Sequence, residues 1–301
     1  MKLRSIELGV TDPAAAAAFM TDIWGMAGAE VRGDTHYLRG SGTFAYLMAL
    51  ERSDEPSARS VTFVCSRERL SGLARAVRDN GLAARPVTSG DPGGGEGLLV
   101  ELPEGIIFRF LADTKDIAPL KGADLPVRLT HVVLNSADAE HCGTAAEKAL
   151  GFTISDRTKG MVFVRCNEFH HSTAFARAGF PSLNHIAFEM EDVDAVMRGV
   201  GRLRDHGHAP AWGPGRHGPG ANVFAYFIAP FGPVVEFSTA VEQVPDDYPT
   251  GGPEDWTWPE GRIDHWGLSD KDYDNLKIAE ARFRFQREWE PASIDHLVEN
   301  A

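Results

Sequence analysis

An internal repeat is the feature that most constrains the fold of this chain. Asp12 and Asp138 each follow a short alternating apolar run and open an Ala-rich stretch, and they lie 126 residues apart. The segments RDNG, from Arg78, and RDHG, from Arg204, are separated by the same interval. Such self-similarity indicates two copies of one unit. The predicted organisation is a first half at 1–120, a linker at 115–126, a second half at 125–242 and a tail at 243–301.

Each half divides again into two similar modules. In the second half, a strand at 128–134 precedes a helix at 137–150, and a strand at 184–190 precedes a helix at 192–206. Alternating apolar runs bounded by turn residues predict further strands after each helix. The order strand–helix–strand–strand–strand therefore occurs four times, which predicts an α+β fold of four βαβββ modules. One module cannot cover both faces of its short sheet, so the modules must pair.

Composition excludes several classes of protein. The 301 residues carry a formal net charge of −13, which argues against nucleic acid as the main partner. The three cysteines form no CxxC pattern, so a disulfide scaffold and a Cys-rich zinc site are not expected. No apolar run approaches the length of about 18 residues that spans a bilayer, and the first residues show no secretory signal. We expect a cytoplasmic protein that does not bind membranes.

Three ligand-type side chains fall on strand faces that point away from the helices. In the strand at 184–190, Ile186 and Phe188 share the helix side, whereas His185 takes the opposite side. The same alternation places His131 and Glu236 on the opposite side of their strands. A single histidine on a strand face is more often a hydrogen-bonded structural residue, and a Lys or Arg partner is the simplest explanation of a buried glutamate. The matching positions in the first half are Ser5, Ser60 or its neighbour, and Arg109, so the folding of such a half does not require these three side chains.

Several motifs of the second half occur in a distinctive order. The interval from His171 to His185 is 14 residues, from His217 to Tyr226 it is 9, and from Tyr226 to Glu236 it is 10. With these motifs the chain resembles the type I extradiol ring-cleavage dioxygenases of the vicinal oxygen chelate superfamily. The similar segments are Leu129–Leu134 (LTHVVL), Phe169–Ala174 (FHHSTA), Asn184–Phe188 (NHIAF), Gly215–Gly220 (GRHGPG), Val235–Phe237 (VEF) and Glu260–Trp266 in the tail.

The resemblance implies two glyoxalase/bleomycin-resistance-like domains, the first without a metal site, and a tail that packs over the active site. His131, His185 and Glu236 would bind Fe(II), with Mn(II) as an alternative, and would leave coordination positions for a catechol and O2. His171 would lie beside the oxygen site as acid–base catalyst. The resemblance further implies a role in aromatic catabolism and a homo-oligomer such as a tetramer.

Tyr226 and His217 are the two further residues to which the resemblance assigns roles. Tyr226 would hydrogen-bond to the substrate, and His217 would orient the same group or assist proton transfer. A core tyrosine and a loop-capping histidine are the structural alternatives. His170 is the lesser candidate beside His171, because alternation along the chain points it to the other strand face. The remaining histidines, interpreted as surface or structural residues, are His36, His141, His206, His208, His265 and His296.

The chain departs from the family pattern at Trp212, where members that act on carboxylated catechols carry an arginine just before the Gly-Pro-Gly segment. This favours an uncharged ring substituent, although the aromatic residues of the tail and Arg262 offer other means of recognising polar groups. Two alternative functions remain at this point. A glyoxalase-like isomerase on the same scaffold has no evident use for the His171, His217 and Tyr226 trio, and a non-enzymatic small-molecule-binding protein does not need three intact ligands.

Overall fold

The computed structural model describes residues 1–122 and 124–299, and it contains the four βαβββ modules that the sequence predicts. The first half consists of β1 (Lys2–Val10), α1 (Pro13–Ala18), β2 (Ala27–Arg32), β3 (Thr35–Arg39), β4 (Met48–Arg52), β5 (Ser57–Val64), α2 (Arg67–Asp79), β6 (Ala83–Thr88), β7 (Glu96–Glu101) and β8 (Ile107–Ala112). A π-helical segment, Phe19–Trp24, continues α1, and a 3-10 turn, Pro103–Gly105, precedes β8.

The second half repeats this order. It consists of β9 (Arg128–Ser136), α3 (Ala139–Leu150), β10 (Thr153–Arg157), β11 (Met161–Arg165), β12 (Thr173–Arg177), β13 (Ser182–Glu189), α4 (Val193–Asp205), β14 (Trp212–Arg216), β15 (Val223–Ile228) and β16 (Val234–Thr239). The tail contains α5 (Tyr273–Glu280), β17 (Arg284–Phe285) and α6 (Asp295–Glu299). None of the helices in the described part of the chain is long and apolar enough to cross a membrane.

Each half forms one mixed sheet with the same topology. The strand orders are β2-β3-β4-β1-β5-β8-β7-β6 and β10-β11-β12-β9-β13-β16-β15-β14. Within every module the first and last strands pair in parallel, and the first strands of the two modules pair antiparallel at the centre of the sheet. The α+β fold predicted from the repeat is therefore confirmed.

The repeated aspartates mark helix starts. The Asp12 side chain accepts a hydrogen bond from the backbone N–H of Ala15 at 3.0 Å, and Asp138 accepts one from His141 at the same distance. A short carboxylate at this position satisfies a backbone donor that the first turn of a helix leaves free. The 126-residue interval thus separates two N-cap residues that occupy equivalent positions in the two halves.

The two halves share a hydrophobic core on the helix side of the sheets. The Trp24 ring of the first half stacks on Phe237 of the second half, with ring centroids 3.8 Å apart. In the other direction, Phe152 of the second half packs edge-on against Phe63 of the first half at 5.2 Å. All four side chains are buried. Because aromatic side chains bury large apolar surfaces, these reciprocal contacts hold the two halves together.

The tail is helical over a shorter range than its sequence suggests. The composition of Lys271–Glu290 predicts a terminal helix, but α5 spans only Tyr273–Glu280, and β17 then pairs in parallel with β5 of the first sheet. The sequence after Glu280 alternates Arg and Phe, which is the period of a strand rather than of a helix. Farther along, the backbone N–H of Ala292 donates to the carbonyl of Ala84 at 2.9 Å. The tail therefore contacts the first half as well as the second.

Candidate metal centre

Neighbouring strands bring three ligand-type side chains together at the centre of the second sheet. In the register of β9, β13 and β16, Ala187 is paired with His131 on one side and with Glu236 on the other. His185 lies two residues before Ala187, and therefore on the same face of β13. Since Ala187 has a small side chain, the three longer ones converge above it.

The three ligand atoms form a nearly equilateral triangle. The Nε2 atoms of His131 and His185 are 3.3 Å apart, and they lie 3.4 Å and 3.2 Å from Oε2 of Glu236. Metal–ligand bonds of about 2.0–2.2 Å at right angles place adjacent ligand atoms about 3 Å apart. All three side chains are buried. In the described residues, 1–122 and 124–299, this is the one group of three or more His, Cys, Asp or Glu residues arranged to hold a metal.

Hydrogen bonds on the outer side of each imidazole orient its free nitrogen inward. His185 Nδ1 lies 2.7 Å from Oδ1 of Asn184, an oxygen that only accepts, so Nδ1 carries the proton. His131 Nδ1 lies 3.0 Å from the Thr130 hydroxyl, which donates its own proton to the carbonyl of Ala187. Both Nε2 atoms are then unprotonated, as in histidines that bind metals.

Glu236 completes the ligand set. Its Oε1 accepts a hydrogen bond from Asn222 at 3.2 Å, whereas its buried Oε2 has no hydrogen-bond partner. Three electron-pair donors that face one another inside a protein repel unless a positive charge lies between them. The donor set of two imidazoles and one carboxylate fits a divalent cation with further open positions. Asn222 is a supporting residue that the sequence analysis did not single out.

The buried environment favours the protonation states that a metal needs. Burial lowers the pKa of His185, which favours the neutral imidazole. Burial alone would raise the pKa of Glu236, but the charge on His131 or His185, when one of them is protonated, holds that pKa well below its usual range. With both imidazoles neutral, a divalent cation at the triangle would supply the positive charge that keeps the carboxylate ionised.

A cavity of about 340 Å³ opens in front of the triangle. His171, His217 and Tyr226 line it together with His131 and His185, so the structure brings the residues of the sequence prediction to one place. The Tyr226 hydroxyl lies 3.3 Å from Nε2 of His185 and 3.1 Å from Nε2 of His217. The rings of His171 and His131 are 4.4 Å apart between centroids.

Of these three polar residues, His171 and Tyr226 are buried and His217 is partly buried. Burial lowers the pKa of His217 to about 3 and lowers the pKa of His171 well below its usual range. Burial also raises the pKa of Tyr226 well above its usual range. At neutral pH the cavity therefore presents two neutral imidazoles and a protonated phenol.

The tail closes part of the cavity and adds groups that sequence reasoning missed. Trp258 and Ile263 line the cavity, and so does Lys271, whose ammonium lies 4.4 Å above the ring of Trp212. Among the described residues, Lys271 makes no ion pair within 4.0 Å. Arg262, which the sequence analysis considered, is exposed and does not line this cavity. No spacing pattern relates Lys271 to the repeat, so only the path of the chain reveals its position.

The first half carries different side chains at the equivalent positions. Strand register confirms that Ser5, Ser60 and Arg109 correspond to His131, His185 and Glu236. There, Glu7 accepts hydrogen bonds from Ser5 and Ser60, each at 2.6 Å, and pairs with Arg109 at 2.9 Å. Arg109 also pairs with Asp91 at 2.7 Å. The centre of the first sheet is thus occupied by charged side chains that pair with one another.

The comparisons with known proteins agree with this geometry. Residues 128–237 match the family model of the Glyoxalase/Bleomycin resistance protein/Dioxygenase superfamily. The second half of the chain is thus a domain of the glyoxalase, or vicinal oxygen chelate, type. Metapyrocatechase 2 of Cupriavidus necator is 30% identical over 124 residues, which are 40% of this chain. The matched segment spans 39% of the length of that curated relative.

Solved structures extend the similarity to both halves. The Mn(II)-bound glyoxalase from Novosphingobium aromaticivorans is 28% identical, with a TM-score of 0.83 and coverage of 97% of this chain and 96% of that one. Homoprotocatechuate 2,3-dioxygenase from Arthrobacter globiformis is 21% identical, with a TM-score of 0.82 and coverage of 97% and 95%, and shares the fold. The resemblance to extradiol dioxygenases of the vicinal oxygen chelate superfamily is confirmed.

Proposed function

We propose that this protein is an Fe(II)-dependent extradiol dioxygenase, which cleaves a catechol-type ring next to its two hydroxyls and inserts both atoms of O2. The observation that carries the proposal is the position of His171, His217 and Tyr226 around the same cavity as the His131–His185–Glu236 triangle. The named relatives include a metapyrocatechase and a homoprotocatechuate dioxygenase, which supports this chemistry. The proposed substrates are a catechol and O2, within the breakdown of aromatic compounds.

Fe(II) is the proposed metal at the triangle, and Mn(II) suits the same ligands. When bound there, such an ion would offer adjacent positions for the two oxygens of a catechol and for O2, and would let electrons pass between them. The carboxylate and two neutral imidazoles leave net positive charge on the ion, which favours an anionic diol. This charge balance supports a catechol as substrate.

The side chains around the cavity would then handle protons. His217 is neutral at pH 7, so its Nε2 can accept a hydrogen bond from the Tyr226 hydroxyl at 3.1 Å or, once substrate is bound, from a substrate hydroxyl. Tyr226 stays protonated, and when a substrate hydroxyl bonds to His217 the phenol would donate its one hydrogen bond to the substrate oxygen. His171 lies beside His131, where it would exchange a proton with the oxygen that enters the ring.

The surrounding aromatic residues would position the ring and exclude water. Trp212 stacks on Tyr226 with an interplanar angle of 26°, and Phe163 packs on the edge of His171. Trp258 from the tail lies on the same cavity. A dry site strengthens the hydrogen bonds that the polar residues make to the substrate.

A glyoxalase-like isomerase is the second candidate, because the glyoxalase from Novosphingobium aromaticivorans matches the chain over 97% of its length. Isomerisation consumes no O2. A binding protein without activity is the remaining alternative, since it would bind the ligand unchanged. Oxygen consumption therefore distinguishes the proposed function from both.

The test is oxygen uptake by protein that has been loaded anaerobically with Fe(II). A panel of catechols is added in an oxygen electrode, and we expect one O2 consumed per catechol, with a coloured ring-fission product. A glyoxalase assay with an α-ketoaldehyde and a thiol runs in parallel without oxygen. Isomerase turnover with no oxygen uptake across the panel would assign the second candidate function. An absence of both reactions, with the metal bound, would leave a binding protein.

A further inference from the structure

A buried pair of side chains stands behind His171, outside the set that lines the cavity. We propose that Asp156 and His170 hold His171 in a single orientation and tautomer, with its unprotonated Nε2 directed at the reacting groups. The catalytic role of this pair rests on the proposed function, whereas the contacts between the side chains do not depend on it. Asp156 and His170 are both fully buried. They are positioning residues that act through His171.

The contacts run in one line from the carboxylate to the cavity. Oδ2 of Asp156 lies 2.5 Å from Nε2 of His170, and Nδ1 of His170 lies 3.0 Å from Nδ1 of His171. An ionised carboxylate only accepts, so His170 donates from Nε2. With its proton on Nε2, His170 offers a lone pair at Nδ1, and we therefore assign the proton of the contact to Nδ1 of His171. His171 Nε2 is left with a lone pair, the form that takes up a proton in catalysis.

The carboxylate is itself held in place by the tail. Oδ1 of Asp156 accepts the backbone N–H of Gly251 at 2.7 Å, and the hydroxyl of Tyr248 lies 3.3 Å from Oδ2. Every polar atom of the Asp156 side chain thus has a partner. A carboxylate that is fixed in this way cannot rotate away from His170, so it sets the orientation of the imidazole next to it.

A glycine leaves room for the contact between the two histidines. Gly220 has a φ of +74°, and a Cβ at this position would lie 2.9 Å from Cε1 of His171 and 3.0 Å from Nδ1 of His170. Such distances are too short for a carbon atom, so a side chain here would push the two imidazoles apart. The glycine-rich segment that ends at Gly220 therefore has a packing role beside the paired rings.

The first half shows that the fold itself does not need this pair. By strand register, Glu30 occupies the place of Asp156. Ala45 lies three residues before Met48, the first paired residue of β4, just as His170 lies three residues before Thr173, the first paired residue of β12. Glu30 is exposed and pairs with Arg32 rather than with the buried interior. The buried carboxylate–histidine contact is thus confined to the half with the candidate metal site, which favours a role in that site over a role in folding.

The first test measures the tautomer directly in the full-length protein. Protein with ¹⁵N-labelled histidine is loaded with diamagnetic Zn(II), and two-bond ¹H–¹⁵N correlation spectra report which ring nitrogen carries the proton. The His171 signals are assigned by their loss in His171→Phe. We expect the Nδ1–H form in the native protein and a loss of this single form in Asp156→Asn, whose amide donates to His170. An Nε2–H tautomer of His171 in the native protein would overturn the proposal, whatever the activity.

The second test measures turnover. For Asp156→Asn we expect kcat for a catechol to fall at least tenfold, with KM changed less than threefold and with Fe(II) content and melting temperature as in the native protein. Glu30→Gln, the counterpart in the first half, is the matched control and should keep native kcat. A native kcat in Asp156→Asn, or an equal loss in Glu30→Gln, would refute the positioning role. If no catechol is turned over at all, the proposed function fails, while the tautomer measurement still decides this inference.

Discussion

The polar cluster at the centre of the first sheet offers a stability prediction whose size follows from the structure. Asp91 accepts hydrogen bonds from the hydroxyls of Tyr37 and Tyr46 at 2.8 and 2.9 Å and pairs with Arg109 at 2.7 Å. Burial alone would raise its pKa, but the Arg109 charge and these hydrogen bonds lower the pKa of Asp91 to about 2, from an ordinary value of 3.8. The folded state therefore favours the ionised carboxylate.

The magnitude follows from linkage between ionisation and folding. A depressed pKa in the folded state stabilises the protein above the unfolded pKa, and this contribution is lost as the pH falls through the folded value. At about 1.4 kcal/mol per pKa unit, the shift corresponds to about 2 kcal/mol at pH 7. About half of this is already lost at pH 3, because the unfolded chain is by then largely protonated at this group.

The perturbation is Asp91→Asn, and the assay is urea denaturation of both proteins at pH 7 and pH 3. We expect the variant to lose about 2 kcal/mol of unfolding free energy at pH 7 and about half as much at pH 3. Glu30→Gln removes an exposed carboxylate of the same sheet and should cause no measurable change. Metal content should also stay native, because the triangle lies in the other sheet. Equal stability of Asp91→Asn and the native protein at pH 7, or a deficit that does not shrink at pH 3, would refute the reasoning.

The candidate site leads to three further predictions. Glu236→Gln replaces the one anionic ligand, so it should lose most of the bound Fe(II) in elemental analysis while its circular dichroism spectrum stays native. Full iron content would contradict the ligand assignment. His141→Ala, on the surface of α3, serves as the control. His171→Phe should keep its iron and slow turnover at least tenfold, and native rates would remove it from the mechanism. Lys271→Met should raise KM about 10- to 100-fold for a catechol with a carboxylate substituent, since a charge-assisted hydrogen bond contributes about 1.5–3 kcal/mol. KM for catechol itself should stay unchanged. Equal effects on both substrates would show that the ammonium does not contact the substituent.

Local rules predicted the framework of the second half. The N-cap aspartates and the Gly that follows α3 mark element ends in the sequence, and Gly151 does adopt a left-handed conformation, with φ of 64°. Alternation along β9, β13 and β16 placed His131, His185 and Glu236 on one face because their side chains project from regular strands. Helix caps and strand alternation depend on residues close together along the chain, so a single sequence is enough to predict them.

The same rule does not reveal the role of His170. As its position beside His171 predicts, His170 does not line the cavity, but both residues lie in the irregular segment before β12, where the period of two does not apply. The contact between their ring nitrogens is therefore not apparent from the sequence. The position of Lys271 beside Trp212 and the pairing of β17 with β5 depend on how a long tail crosses the surface. Such contacts between distant parts of the chain leave no periodic signal in the sequence.

The path of the C-terminal segment makes the cavity depend on both halves of the chain. Its nearer part lines the cavity through Trp258 and Lys271. Its farther part is bound to the first half through the β17–β5 pairing and the Ala292–Ala84 backbone hydrogen bond. A substitution in the first half that disrupts these contacts should therefore disturb the cavity of the second half, although it touches none of the residues that line it.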